Sequence, residues 1–496
     1  MFEKITPEQA GISSNRVADF ISVLERRGLA THSVLMMKGD KIFAEYYWAP
    51  FHKDFCHRMY SQTKSYVSIA IGLLEEDGLI DLDKPFVSYF PEKIDGEVID
   101  WRAQQTIREM LTMQTPFSGP NWFEVTEPDR TRLYINAQTD KSTRRPPNTI
   151  WMYDSAGSQV MGALVEKITG KSLFDFLYER IFKELGTFKT AEILKTRNGD
   201  SWGDSALVCT SRDMASFARF VLNYGKWNGK QLLNEAYLRK ATSNLVSNEE
   251  SAWPNCFRHG YGYQIWRTEQ DGFAFVGMGD QLTVMHPATD TVFVITSDNQ
   301  GFAPAREIIV NTYFDYIITP MVNEALAPDA GAERRLANET ADLKLKYEKG
   351  LSHHENADKY NGKTVICDVQ GNMGISKFSL HFNGDRGELR YTNAQGDKVL
   401  PFGICHNEFC KCPELGYSND RGGVRTTDGF MYDAAVSASW RADGKLVINC
   451  QIIDRYFGNF GTVIAFNGDY VVMAMSKTAE DFLGKYQGRA YGKIEK

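Results

Sequence analysis

Apolar positions recur at helical and at strand spacing, in turn, along the first two thirds of the chain. Val17, Phe20, Ile21 and Leu24 predict a helix over 14–27. Two apolar-rich runs, 33–37 and 41–47, flank Lys38-Gly39-Asp40 and predict a hairpin. A third pattern starts at Ser61 and carries Val67, Ile69, Ala70, Ile71, Leu73 and Leu74 to a stop at Gly78. Further helices are predicted over 157–168, stopping at Gly170, over 211–222 with Ser211 as its cap, and over 307–318. Strands are predicted over 261–267, 273–276, 282–286 and 291–296. Helices bracketing an antiparallel sheet imply an α+β layering for residues 1–325, rather than a doubly wound parallel sheet.

The pattern then changes twice. Past Asn323 the chain turns to Ala, Glu, Lys and Arg with Pro328, which predicts a linker with a charged helix over 326–355. From about residue 359 the apolar positions take period two, over 364–369, 377–382, 388–392, 434–440, 445–453 and 462–466. Asn361-Gly362, Asn383-Gly384, Asp443-Gly444 and Asn467-Gly468 supply the turns between them. Residues 356–496 therefore read as an all-β domain, a barrel or a sandwich, with a helical tail near 479–483. No internal repeat marks a solenoid.

Length and composition sharpen this only a little. A chain of 496 residues exceeds one ordinary core, as the two patterns already imply. A net charge of −7 argues against nucleic acid, and short basic pairs such as Arg26-Arg27 and Arg144-Arg145 read as solvated surface. The first residues carry no apolar signal segment, and no apolar run has membrane-span length, so the sequence as given reads as cytoplasmic. The 8 cysteines are scattered. Cys405-His406 with Cys410 and Cys412 lacks the spacing of a zinc site, and His353-His354 reads as a polar loop, so no metal or cofactor is expected.

Candidate chemistry begins at Ser61-Gln62-Thr63-Lys64. Three residues is just under a helical turn, so Ser61 and Lys64 share a face, and no other serine here has a lysine at that offset. A serine hydroxyl needs a base or a field to become a nucleophile, and a desolvated lysine one turn on supplies either. A helix N-terminus adds N–H donors for an oxyanion. The plain alternative is an N-cap serine and a surface lysine. Tyr153-Asp154-Ser155 stands at an expected strand-to-helix junction, where a phenol pointing into a cleft beside Lys64 would be stabilised as phenolate. The other reading of Tyr153 is a half-buried residue at a helix start. In Phe275-Val276-Gly277-Met278-Gly279-Asp280-Gln281 the glycines let a strand approach a ligand, or mark a bulge.

Taken in order, these motifs resemble the serine β-lactamase and penicillin-binding superfamily, in particular its class C-like branch of esterases and 6-aminohexanoate-dimer hydrolase. Pro7-Glu8-Gln9-Ala10-Gly11, Tyr46-Tyr47-Trp48-Ala49-Pro50, the acidic run from Glu75 to Asp83, Ser211-Arg212-Asp213-Met214-Ala215 and Tyr261-Gly262-Tyr263 support it, over about two thirds of the chain. The resemblance implies a β-lactamase/transpeptidase-like domain, an antiparallel sheet flanked by helices with a helical subdomain. It makes Ser61 the acyl-accepting nucleophile, Lys64 its partner in proton transfer and Tyr153 the general acid/base. It puts Ser155 at the third position of the tyrosine motif, and the N–H groups of Met278 and Ser61 around the oxyanion, beside Gly277.

The departures narrow the expected substrate. Phe275-Val276-Gly277 stands where β-lactamases have Lys-Thr-Gly, so a substrate carboxylate finds no partner there. Ser155 replaces the usual Asn. Both favour a small-molecule neutral ester or amide over a β-lactam or D-Ala peptide, with acyl transfer to a small acceptor as a further enzymatic reading. A catalytically silent binding or scaffold protein is the non-enzymatic one. The C-terminal domain reads as a packing or homodimerisation module, or as a source of aromatic loops at the cleft, such as Trp440 or Arg455-Tyr456-Phe457.

Overall fold

The strand Thr31–Lys38 (β1) is buried along nearly its whole length, because side chains alternate between two covered faces. Leu35 and Met37 join one core, Val34 and Met36 the other. The protein is described by a computed structural model, which covers residues 2–98, 100–116, 129–137, 145–196, 198–368, 374–414, 431–479 and 487–495. It forms two compact units, Met1–Lys344 and Leu345–Lys496.

In the first unit, helix α1 (Ser14–Arg26) precedes β1 and the antiparallel β2 (Lys41–Tyr47). Helices α2 (Thr63–Glu76), α3 (Ser155–Thr169) and α4 (Ser211–Leu222) come next, then β3 (Trp266–Arg267), β4 (Phe273–Gly277), β5 (Gln281–His286), β6 (Thr291–Ser297), α5 (Ala305–Tyr313) and α6 (Ala330–Thr340). The sheet is 7-stranded in the order Glu3–Lys4, β2, β1, β6, β5, β4, β3. Register places Leu35 opposite Val294 and Met36 opposite Phe293, so each face stays apolar across strands. Val17, Phe20 and Leu24 of α1 with Ile309 and Tyr313 of α5 cover one face; Tyr66 of α2 and Phe217 of α4 cover the other. Each fully buried side chain of this kind is worth about 1.5–3 kcal/mol.

Several boundaries differ from expectation, each for a local reason. The expected strand 261–267 is a strand only at Trp266–Arg267. Gly262 packs so closely that a Cβ there would meet Ala241 O at 2.0 Å, and Gln264 has φ 57°, so the chain turns instead of extending. The helix expected to 318 passes at Phe314–Ile318 into a π turn. The charged helix expected after residue 325 is α6, and it lies on α1, with Arg335 pairing Asp19 and Glu339 accepting from Ser22. Among the described residues, no helix is long and apolar enough to cross a membrane.

The second unit is a β-barrel. Strands β7 (Thr364–Cys367), β8 (Lys377–Asn383), β9 (Arg386–Asn393) and β10 (Gly396–Ile404) are followed by β11 (Glu408–Lys411), β12 (Asp433–Trp440), β13 (Leu446–Ile453), β14 (Phe457–Asn467), β15 (Tyr470–Ala479) and β16 (Gly488–Ile494). The sheet runs β10-β9-β8-β7-β16-β15-β14-β13-β12, and parallel pairing of β10 with β12 closes it into a 9-strand barrel, with β11 on the edge of β12. Phe378, Leu389, Phe402, Ile448, Ile464 and Met473 are buried in turn along the strands. Trp440 is wholly buried against His354, Phe382 and Phe466, so it belongs to the barrel core and is not a loop aromatic. Tyr456 packs on Tyr432 and is likewise buried. Ala479 ends β15; the rest of the expected tail helix lies outside the described residues.

Candidate active site

Ser61 sits two residues before α2, in the 3-10 turn Tyr60–Gln62. The turn is set by Tyr60, whose φ of 49° is left-handed, a conformation costing a non-glycine residue about 1–3 kcal/mol. Its surroundings hold it there. Thr63 Oγ1 donates to Tyr60 O at 2.7 Å, Met59 N donates to Leu207 O at 2.8 Å, and the Arg58 guanidinium lies 4.6 Å over the Tyr60 ring. The N-cap of α2 is Gln62, with no side-chain cap bond, so the Ser61 hydroxyl is not spent on capping.

It is engaged by Lys64 instead. Lys64 Nζ donates to Ser61 Oγ at 2.9 Å, and the lysine is only 2% exposed. Nζ also donates to Asp204 O at 2.7 Å and lies 3.6 Å from Asp204 Oδ2. On another side stands Tyr153, its ring centroid 5.1 Å from the same nitrogen. Ser61, Lys64 and Tyr153, read from separate parts of the sequence, thus converge.

Tyr153 is preceded by irregular chain, not by the expected strand, and its ring is held by aromatic neighbours. Trp253 lies at 5.1 Å, Trp266 stacks at 5.9 Å and Trp151 lies at 6.4 Å. Asp154, the next residue, is the N-cap of α3 and accepts from Gly157 N at 3.0 Å. Its other oxygen accepts from Thr115 and Tyr134, each at 3.1 Å. This anchors the chain on which Tyr153 sits. Ser155 follows as the half-buried first residue of α3.

Gly277 ends β4 directly against the nucleophile turn. A Cβ there would stand 2.2 Å from Met59 O, so only glycine permits the approach. The chain then turns through half-buried Met278, with Gly279 and Asp280 both at positive φ. Gln281 Nε2 fixes the turn by donating to Met278 O at 3.0 Å and to Ser297 O at 2.5 Å. Phe275 is buried on the helical face against Tyr66 and Phe217, and Val276 on the opposite face. Neither supplies a cation or a hydroxyl.

Sequence reasoning missed Arg306, which enters from α5. Its Nε donates to Asp280 Oδ1 at 2.9 Å and its Nη2 to Gly277 O at 3.2 Å, while the guanidinium lies 5.4 Å over Trp253. Asp280 neutralises it, so this side of the site carries a paired charge. Asp204 was missed too, and no periodicity marks it. Asp154 had a signal, an Asp three residues before Gly157 at a helix start. Among the described residues, no group of three His, Cys, Asp or Glu side chains converges as a metal site.

Residues 17–310, more than half of the chain, match the beta-lactamase family. The chain belongs to that family. Its relatives include the 6-aminohexanoate-dimer hydrolase of Paenarthrobacter ureafaciens, 24% identical over 310 residues, covering 58% of this chain and 78% of that protein. A putative 6-aminohexanoate-dimer hydrolase from Bacillus anthracis superposes with TM-score 0.50 at 23% identity, over 59% of this chain and 80% of that one. A penicillin-binding protein homolog from Caulobacter crescentus superposes with TM-score 0.51 at 15% identity, over 62% and 99%. The protein is therefore a beta-lactamase-fold member of a serine hydrolase family, with a barrel domain appended.

Proposed function

We propose that this beta-lactamase family member hydrolyses uncharged carboxylic esters or amides through an acyl-enzyme on Ser61. The observation that carries the reading is the position of Lys64 Nζ, 2.9 Å from Ser61 Oγ and 5.1 Å from the centre of the Tyr153 ring. Ser61 Oγ attacks the substrate carbonyl carbon while the Lys64–Tyr153 pair takes its proton. The carbonyl electron pair moves to oxygen, where the N–H groups of Ser61 and Met278 receive it. Collapse breaks the bond to the leaving alcohol or amine, which takes the proton back from the pair. Water, deprotonated by the same pair, then attacks the acyl-enzyme carbonyl; the Ser61 Oγ–C bond breaks, Oγ takes the proton back from the pair, and the acid is released.

The neutral-substrate reading rests on what surrounds that chemistry. Phe275 and Val276 are buried apolar residues, and Arg306 is already paired with Asp280, so a substrate carboxylate would lose water without gaining a free cation. Ile150 and Met152, next to Tyr153 in the chain, are 59% and 44% exposed. Phe302 is exposed on a loop tied to Gly279 through Asn299 N, which donates to Gly279 O at 3.2 Å. Such side chains favour an apolar acyl or leaving group. The relative named as a 6-aminohexanoate-dimer hydrolase supports an amide as one of the bonds cleaved.

A panel of p-nitrophenyl esters, anilides and nitrocefin tests the reading on wild type and Ser61→Ala. Ester or anilide turnover that vanishes in Ser61→Ala is expected. Nitrocefin turnover faster than that of simple esters would return the β-lactam reading, and full activity in Ser61→Ala would end the acyl-enzyme.

A further inference from the structure

Arg306 is the second residue of α5, whose Ala305, Ile309, Val310 and Tyr313 are wholly buried, so its backbone stands on a rigid base. Its side chain is only 15% exposed and spans one short turn of chain. Nη2 donates to Gly277 O at 3.2 Å and Nε to Asp280 Oδ1 at 2.9 Å, on either side of Met278 and Gly279. Ser297 Oγ holds the same turn from the sheet, sharing its hydrogen between Gly279 O at 2.7 Å and Asp280 O at 2.9 Å. Trp253 backs the guanidinium at 5.4 Å, and its loop is tied to α5 where Asn255 N donates to Glu307 Oε1 at 2.7 Å. Gly277 O and Met278 N belong to one peptide unit. That unit is planar and trans, so its C=O and N–H point opposite ways. With glycine on one side the plane is free to rotate, and a donor that holds the oxygen fixes the direction of the N–H as well. Among the described residues, Met278 N donates to no acceptor.

We propose that Arg306 is a positioning residue for the oxyanion: it holds the Gly277–Met278 peptide so that the Met278 N–H faces the substrate carbonyl oxygen. This rests on the acyl-enzyme reading and adds to it a residue, remote from the reacting atoms, on which its oxyanion stabilisation depends. As Ser61 Oγ attacks the carbonyl carbon, the π electron pair moves onto the carbonyl oxygen, and the Met278 N–H donates to that oxygen. Donation by a guanidinium into Gly277 O polarises the shared amide and strengthens the N–H at its other end. Asp280 keeps the guanidinium aimed, because Nε is bound to its carboxylate while Nη2 reaches the carbonyl. A lysine does not replace it: an ammonium is a point-like donor without the planar fork that spans both acceptors.

The test compares kcat and KM for a p-nitrophenyl ester and for the matching thionoester, in which sulfur replaces the carbonyl oxygen, in wild type, Arg306→Met and Arg306→Lys. Sulfur is a weak acceptor, so the ratio of the two kcat/KM values reads how well the site stabilises an oxyanion. In Arg306→Met, kcat for the oxygen ester is expected to fall about thirtyfold with KM within about threefold, and the oxygen-over-sulfur ratio to fall about tenfold. Arg306→Lys keeps the charge without the fork, and its ratio is expected to fall about threefold. A fall in kcat at an unchanged ratio marks a lesion that is only structural and overturns the proposal, as does an unchanged kcat. Should Arg306→Met fail to give a native circular dichroism spectrum, Arg306→Lys decides alone, by the same ratio. Failure of wild type to take a fluorophosphonate label at Ser61 would instead end the acyl-enzyme reading itself.

Discussion

The two units bury their polar groups in opposite ways. In the first, Arg58, Lys64, Arg102, Arg130, Asp154 and Asp204 are all buried, and the nucleophile turn holds a strained Tyr60. In the barrel, the buried residues are almost all apolar; among the described residues, Glu414 is the one buried acid or base there, and it accepts from Tyr391 OH at 2.5 Å. Burying charge costs several kcal/mol unless it is paired, and among the described residues the barrel interior carries little of it, though Cys405 stands at φ 59°. The contrast separates a region dense in buried charge from one whose interior is almost wholly apolar.

Breaking the charged region should give the largest effects. Lys64→Met removes the donor to Ser61 and strands Asp204; kcat/KM for an ester is expected to fall about a thousandfold, with a loss of about 3–5 kcal/mol in stability by denaturant titration. The barrel should answer differently. Trp440→Ala empties a filled interior and is expected to cost about 3–5 kcal/mol, while the Ser61 labelling rate per folded molecule stays within about twofold. A labelling rate that falls in step with stability would erase the contrast. Gly277→Ala, whose Cβ would meet Met59 O at 2.2 Å, is expected to cost about 1–3 kcal/mol and to slow acylation more than it slows folding.

The smallest effect is a pH dependence in the first unit. His32 Nδ1 and His57 Nε2 are 2.8 Å apart and buried. Burial pushes the His57 imidazole down to about 3, against the opposing bond to Arg58 O, and burial together with the His57 charge pushes His32 well down. Both rings are therefore neutral when folded and take protons on unfolding. The stability this contributes is complete above about pH 6.5 and is lost as pH falls toward 3, by up to about 1.4 kcal/mol per pH unit for each proton. Chemical denaturation between pH 7 and 5 reads it as the difference in slope between wild type and His57→Gln, because burial also pushes His286 down and Glu75, Glu76 and Glu109 up, while Glu45 contributes only lower. Burial works to raise the Glu45 carboxyl, but Arg212, Lys4 and Tyr47 outweigh it and bring it to about 2. A slope in that window unchanged by His57→Gln would contradict the buried neutral pair.

The same difference explains what the sequence disclosed. Period-two alternation announces the barrel, because an apolar core leaves its mark at every second residue, as at Leu446, Ile448, Cys450 and Ile452. Ser61 and Lys64 were legible because their contact is local, one turn of chain apart. Tyr153 stood out from its place at a helix start, and resemblance to a family supplied its expected role. Asp204 was not legible at all: it meets Lys64 across 140 residues of chain, and a lone Asp between Gly203 and Ser205 has no pattern to betray it. Residues 261–265 misled for the converse reason. Their composition suits a strand, but the close approach of Gly262 to Ala241 turns the chain. Trp440 misled because an aromatic residue says nothing by itself about which side of a strand it occupies.

The most direct measurement is peptide-mapped labelling of the wild-type protein by a fluorophosphonate, alongside Ser61→Ala. The account predicts one adduct per chain, located on Ser61, formed faster as pH rises and absent from the folded Ser61→Ala variant. A native wild-type protein that takes up no label, or takes it up equally in Ser61→Ala, would contradict it.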